Sequence, residues 1–179
     1  MDAVEPLLDL GLHTRYEDLP PEVVERTRMA ILDTLGATLA GLSGEGVAPL
    51  AAMYSDWGGK AEATAFAAGM KKLPIPAAAM LNGLAGRAWD LDDVHEQNTC
   101  HVNVNIVPAV LALAEARGPV NGRELIAATT IGAEMVCRLS AASRISFSET
   151  GSSMSYQCGF YGAALAGAVA RGAGSRGRR

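Results

Sequence analysis

Aromatic residues are scarce in this chain of 179 residues: three Phe, two Trp and four Tyr make 5% of it. A core of this composition must close through Ala, Leu, Val and Gly, which favours helices packed at short range. Cysteine is also rare. Cys100, Cys137 and Cys158 are odd in number and form no CxxC pair, which argues against a disulfide scaffold. Charged residues amount to only 19%, with a mild net charge of −4. No basic stripe with interleaved aromatics exists, so nucleic acid is not expected as a partner. The N-terminus, Met1-Asp-Ala-Val-Glu-Pro, lacks the basic, then apolar, pattern of a secretory signal. No uninterrupted apolar run reaches the ~18 residues expected of a membrane span. The expectation is therefore a cytoplasmic protein without a membrane partner.

What is present is hydrophobicity, 49% of the residues. A chain of this length can fold as one domain that buries roughly 70% of its unfolded surface. Nearly every segment reads as helix. Pro20-Pro21-Glu22 suits a helix start, since proline is tolerated in the first turn and an acid favours the positive end of the dipole. Val24, Thr27, Ile31, Leu35, Thr38 and Leu42 then recur at helical spacing. Further helices are predicted over 47–57, over 77–89, over 105–116 with Pro108 in the first turn, from the capping-box sequence Asn121-Gly-Arg-Glu124 to about Ser143, and over 156–170. The segment 62–66 reads as a short strand or extended connector, 91–104 and 144–155 as loops. Gly159, Ala163 and Gly167 repeat every four residues and predict close helix packing. Residues 1–170 are read as one unit and 171–179 as a disordered basic tail.

The chemistry concentrates in one stretch, Trp89-Asp-Leu-Asp-Asp-Val-His-Glu-Gln-Asn-Thr-Cys-His101, which holds three aspartates, one glutamate and two of the three histidines. Charge beside an apolar scaffold is either paired or has its protonation adjusted for proton transfer. If the preceding helix runs on to Asp93, Asp90 and Asp93 share a face and Asp92 points about 200° away from Asp90. Two carboxylates on one face raise one another's pKa and suit a general acid or base, with His95 or His101 completing a relay. The structural alternative is that Asp92 and Asp93 hold the loop through backbone N–H groups. Asp92, Asp93, His95, Cys100 and His101 are all potential metal ligands, but their spacing fits no standard zinc pattern. Asp92-Asp93-Val-His-Glu96 also has the form DDxxE, which on a helix would hold magnesium and a diphosphate as in isoprenoid synthases. No second acidic motif accompanies it. Cys137 and Cys158 read as small core residues, and His13 as a structural residue near an N-terminal turn.

Three ordered motifs then carry a resemblance: Ile31-Leu-Asp-Thr-Leu-Gly-Ala-Thr-Leu-Ala-Gly-Leu42, Ala79-Met-Leu-Asn-Gly-Leu-Ala-Gly-Arg-Ala-Trp-Asp-Leu-Asp-Asp93, and His101 followed by Pro108-Ala-Val-Leu-Ala-Leu-Ala-Glu115. From about residue 4 to about residue 170 the chain resembles the MmgE/PrpD family, which includes 2-methylcitrate dehydratase, cis-aconitate decarboxylase and iminodisuccinate epimerase. The resemblance implies an all-α domain, of which this chain is the N-terminal part, together with homodimerisation. It also implies lyase chemistry, without metal or cofactor, on small di- or tricarboxylates such as 2-methylcitrate, with epimerisation as the family's alternative. By motif it assigns catalysis to Asp90, Asp93 and His101; the candidates for substrate binding are Ser153 and the cations of the matched segment, mainly Arg87, Arg138 and Arg144. Val94 stands where many members have threonine, Val102-Asn103 replaces Pro-Ser or Pro-Gly, and Ser153 lies about where a second histidine is common. These departures imply a subfamily with different substrate chemistry. Family members are much longer and carry an α+β lid, so a truncated chain of impaired activity, or a noncatalytic helical fragment, is expected.

Overall fold

The structure is a computed structural model that describes residues 4–143 and 151–172. Among them, seven α-helices carry the fold: α1 (Glu5–His13), α2 (Pro21–Ala40), α3 (Val47–Trp57), α4 (Ile75–Arg87), α5 (Asn103–Arg117), α6 (Gly122–Ala142) and α7 (Met154–Ala170). Two antiparallel hairpins join them. β1 (Ala63–Ala65) pairs with β2 (Lys71–Leu73), and β3 (Val94–His95) pairs with β4 (Cys100–His101) in the register Val94 to His101 and His95 to Cys100. The all-α class holds, with strand among the described residues confined to these short pieces.

The helix starts follow their sequence signals. Pro20 precedes α2 and Pro21 opens it, Pro74 precedes α4, and the Asn121 side chain accepts from the Glu124 backbone N–H at 2.9 Å to cap α6. The buried line of α2 is Thr27, Thr34, Ala37 and Thr38. Their hydroxyls are satisfied within the fold, Thr27 sharing a 2.8 Å bond with Thr130 of α6 and Thr38 bonding the Thr34 carbonyl. Helix α5 lies at the centre: Asn103, Val104, Ile106, Val107, Pro108, Val110, Ala112 and Ala114 are all buried, as expected of a helix apolar all round. One core cluster joins Val47, Ala63, Leu73, Leu81 and Ala112, and a second joins Cys100, Ile106, Val110, Val136 and Ala166. Both contain residues of α5.

Small residues let these helices approach. A Cβ at Gly41, just after α2, would collide with the Ala85 carbonyl of α4, so the end of α2 and the last turn of α4 are held backbone against side. A Cβ at Gly162 of α7 would stand 2.7 Å from the Gly132 carbonyl of α6 and run into Val136. The small-residue face of α7 is thus spent inside the molecule: Gly159 makes room for Asn105, and Gly167 for Leu113. Its exposed side carries Tyr156, Phe160 and Tyr161 instead.

Several boundaries differ from the sequence reading. Helix α4 ends at Arg87, not Trp89, because Asp90 adopts the left-handed region at φ 56°, which a short polar side chain tolerates. The segment 91–104 is no simple loop, since it contains the β3–β4 hairpin and the first residues of α5. Pro108 is the sixth residue of α5, not a first-turn residue. The Val104 carbonyl that it deprives of a donor faces Gly83, where a Cβ would lie at 3.4 Å. Helix α1 was not predicted; His13 is its last residue, exposed, with Nδ1 2.9 Å from the Asp9 carbonyl. Helix α7 begins at Met154, inside the predicted loop, and residues 144–150 fall outside the described residues. So do residues 173–179 of the predicted tail, while Arg171 and Gly172 close α7 through bonds to Gly167 and Val169. Helix α6 is long and apolar enough by composition to cross a membrane, and half of that window is buried within the fold.

The crossing of α6 over α7 makes a direct prediction. Gly162→Ala should lower the unfolding free energy by at least about 2 kcal/mol, toward the upper part of the usual overpacking range, because backbone cannot yield as a side chain can. Thermal or urea unfolding checks it, with the exposed Gly122→Ala, where nothing lies within 4 Å, as the matched control.

Candidate active site

The loop after α4 leaves the helix at Asp90, turns through β3 and β4, and returns His101 to the point where it started. The left-handed turn at Asp90 opens the chain into an extended path, and alternate residues of extended backbone face the same way. Asp90 and Asp92 therefore share a side, while Asp93 faces the other.

Asp92 is the innermost group, its side chain wholly buried. Its Oδ2 lies 3.0 Å from His101 Nδ1 and its Oδ1 3.3 Å from Arg87 Nη1. The same Arg87 nitrogen contacts Asp90 Oδ1, which is also 3.6 Å from His101 Nε2. The imidazole is thus bracketed by two carboxylates, one buried and one 70% exposed, with a guanidinium joining them. Hydrogen bonding to Arg87, and then its charge, hold the Asp90 carboxyl below its ordinary value.

The backbone of His101 is fixed from two helices. Its N–H donates to Ser155 Oγ at 2.8 Å, and its carbonyl accepts from Asn105 Nδ2 at 2.9 Å. Ser153, the N-cap of α7, donates its hydroxyl to Ser155 Oγ at 3.0 Å. It therefore stands one hydroxyl behind His101.

Asp93 does different work. Its Oδ1 accepts from the Asn103 backbone N–H at 3.1 Å and its Oδ2 from Asn103 Nδ2 at 3.0 Å. A carboxylate there satisfies an orphan donor at the start of α5 and meets the positive end of its dipole. Burial raises the Asp93 pKa, and the Asn103 bonds only partly offset it.

Of the residues singled out in the sequence, Arg87, Asp90 and His101 come together. Asp93 is bonded to the start of α5, Ser153 belongs to the support behind the histidine, and Arg144 lies outside the described residues. Arg138 pairs with Glu134 on α6. His95 sits on β3, outside the cluster, with a buried Nδ1 that has no hydrogen-bond partner among the described residues. The helical DDxxE reading fails because no α-helix runs through Asp92, Asp93 and Glu96: Asp92 is turned inward and Glu96 is exposed in a separate short 3-10 turn. Asp90, Asp92 and His101 are close enough together to suit a cation, yet the Arg87 guanidinium already stands between the two carboxylates. Burial pushes all three thiols up, Cys137 to about 11, so none is an activated nucleophile. The residues that sequence reasoning passed over are Asp92 as a partner of the imidazole, and Asn105 and Ser155 as its backbone supports. Only Asp92 left a signal, the i, i+2 spacing from Asp90.

An all-α unit that offers a histidine between carboxylates on a loop between two core helices defines a class, a helical domain with acid–base groups. The profile of the MmgE/PrpD N-terminal domain matches residues 8–176, and the chain belongs to that family. The cis-aconitate decarboxylase of Homo sapiens is 35% identical to it over 125 residues, 68% of this chain and 26% of that protein. The chain therefore spans only about a quarter of the length of the curated relative it matches.

Asp93 makes the site's pH prediction. Because its folded-state pKa is raised, its contribution favours the fold below the ordinary value of 3.8 and is lost as pH rises through the raised value. Urea unfolding of the wild type against Asp93→Asn across this range should show the wild-type advantage falling with rising pH and then levelling. An advantage that grows with pH would show that the two Asn103 bonds outweigh burial.

Proposed function

We propose that this chain carries the acid–base part of a lyase site for a small di- or tricarboxylate such as 2-methylcitrate, working by side-chain proton transfer without a metal. The observation that carries the reading is the imidazole of His101 held between Asp90 and buried Asp92, in a chain related to a decarboxylase. In it, His101 exchanges the proton next to the substrate carboxylate, and Asp90, exposed at the lip, handles the leaving group or its proton. Asp93 supports the loop. Elimination, decarboxylation and epimerisation share this proton step, so an epimerase of the same family uses the same residues.

Charge sets the expected rate. Arg87 is committed to two carboxylates, so the cluster offers little positive charge to an anionic substrate, and Arg144 is the further candidate from the sequence. Turnover by the chain alone is therefore expected to be weak, and a noncatalytic helical unit is the competing reading. The test is the purified chain assayed on 2-methylcitrate and cis-aconitate, with and without EDTA. Any turnover should survive EDTA and fall about 10²-fold or more in His101→Ala and in Asp90→Asn, the usual scale of a lost general acid or base. Loss on chelation with recovery in magnesium would reverse the metal-free assignment, and no turnover on any such acid would favour the noncatalytic unit.

The proposed partner is a second copy of the chain. Met29, Leu32 and Leu39 stand exposed along one side of α2, and Tyr156, Phe160 and Tyr161 on α7, more large apolar surface than scattered exposure leaves. Light scattering at micromolar concentration should give a dimer; a monomer would count against it.

A further inference from the structure

We infer that Asp92 is the positioning residue of His101: it holds the imidazole as the Nδ1–H tautomer and leaves Nε2 as the nitrogen that exchanges protons with substrate. The inference rests on the acid–base role proposed above for His101 and names the residue that sets which nitrogen acts.

The geometry leaves one arrangement. Asp92 Oδ2 and His101 Nδ1 are 3.0 Å apart, both buried, and neither has another hydrogen-bond partner among the described residues. The contact is a close ion-pair approach and not an aligned hydrogen bond. Two unprotonated acceptor atoms 3.0 Å apart and away from water would repel, so one of them carries a proton. The proton is assigned to nitrogen, since the other oxygen of the same carboxylate accepts from the Arg87 guanidinium at 3.3 Å. Which ring nitrogen is free is set by the bond the other one makes. Here the free one is Nε2, 3.6 Å from Asp90 Oδ1 at the exposed side.

The remaining groups facing the ring agree. Arg87 comes from α4, Asp90 from the turn after it, and Ser155 of α7 engages only the His101 backbone. Asp93, which a helical reading would place beside Asp90, has both oxygens on Asn103. Asp92 is therefore the one carboxylate in the cluster that is fully enclosed and directed at Nδ1, the arrangement that orients a catalytic histidine elsewhere.

The test is a long-range 1H–15N spectrum of the full chain at about pH 8, where neutral imidazole dominates for an ordinary histidine. His101 is assigned against His13 and His95 with His101→Ala. The wild type should show His101 as Nδ1–H. Asp92→Asn should shift it at least severalfold toward Nε2–H, and Asp92→Glu should restore Nδ1–H in part. A wild-type ring in the Nε2–H form, or one protonated on both nitrogens, overturns the assignment. So does an unchanged tautomer ratio in a folded Asp92→Asn. If that variant does not fold, the wild-type spectrum alone decides. Where turnover is found, Asp92→Asn should lower kcat by about 10²-fold or more while KM stays nearly constant, since the residue does not touch substrate. The spectrum reads the tautomer whether or not the chain turns anything over, so absent activity would count against the proposed function and not against this assignment.

Discussion

A carboxylate with no exposed surface is the constraint around which this fold is arranged. Left alone, ionised Asp92 would cost several kcal/mol, and removing one partner of a buried pair typically costs roughly 3–5 kcal/mol. The chain therefore has to deliver a guanidinium from one direction and an imidazole from another. Arg87 arrives because α4 stops at that residue, its last turn held against the end of α2 at Gly41. His101 arrives because the β3–β4 hairpin folds the loop back upon its origin. Each of these local features has little stability of its own; a two-residue pairing is marginal in water. The buried charge binds them together.

The neighbouring carboxylate shows the same economy applied differently. Asp93 is one residue along and points the opposite way, to the N-terminus of α5, where it caps Asn103. One loop thus ties together the end of α4 and the start of α5, the central helix of the core. Disturbing either carboxylate should be felt in both helices, because α5 contributes Ile106 and Val110 to one core cluster and Ala112 to the other. The site and the fold share their supports.

Much of this was legible in advance. Helices announced by proline or by an Asn-x-x-Glu cap were placed within a few residues, because those signals act on the backbone locally. The importance of 90–101 was visible from its concentration of charge in an apolar chain. What was not legible depended on one backbone angle. Nothing in Trp89-Asp-Leu-Asp-Asp93 declares that Asp90 turns left-handed, yet that turn decides whether Asp93 or Asp92 accompanies Asp90. A continued helix pairs positions three apart; an extended segment pairs positions two apart. Pro108 misled for a similar reason: its tolerance deep in α5 depends on Gly83 opposite the Val104 carbonyl, a contact between segments far apart in the chain.

The arrangement also bears on how such a site treats its substrate. With the imidazole as the inferred Nδ1–H tautomer, a guanidinium between two carboxylates gives the cluster a formal charge of about −1, which repels rather than attracts a polyanionic acid. Under the proposed function, selectivity for a di- or tricarboxylate then has to come from cations outside the cluster, and the cluster's own contribution is confined to the proton. That division is chemically useful. Arg87 engages both Asp90 and Asp92, so that in the proposed role His101 meets carboxylates already tied to a partner instead of groups that rearrange as charge develops, the condition under which preorganised electrostatics lower a barrier. In the proposed function, the repulsion that weakens binding near His101 is the same negative field that would stabilise an imidazolium after the ring takes a proton from substrate.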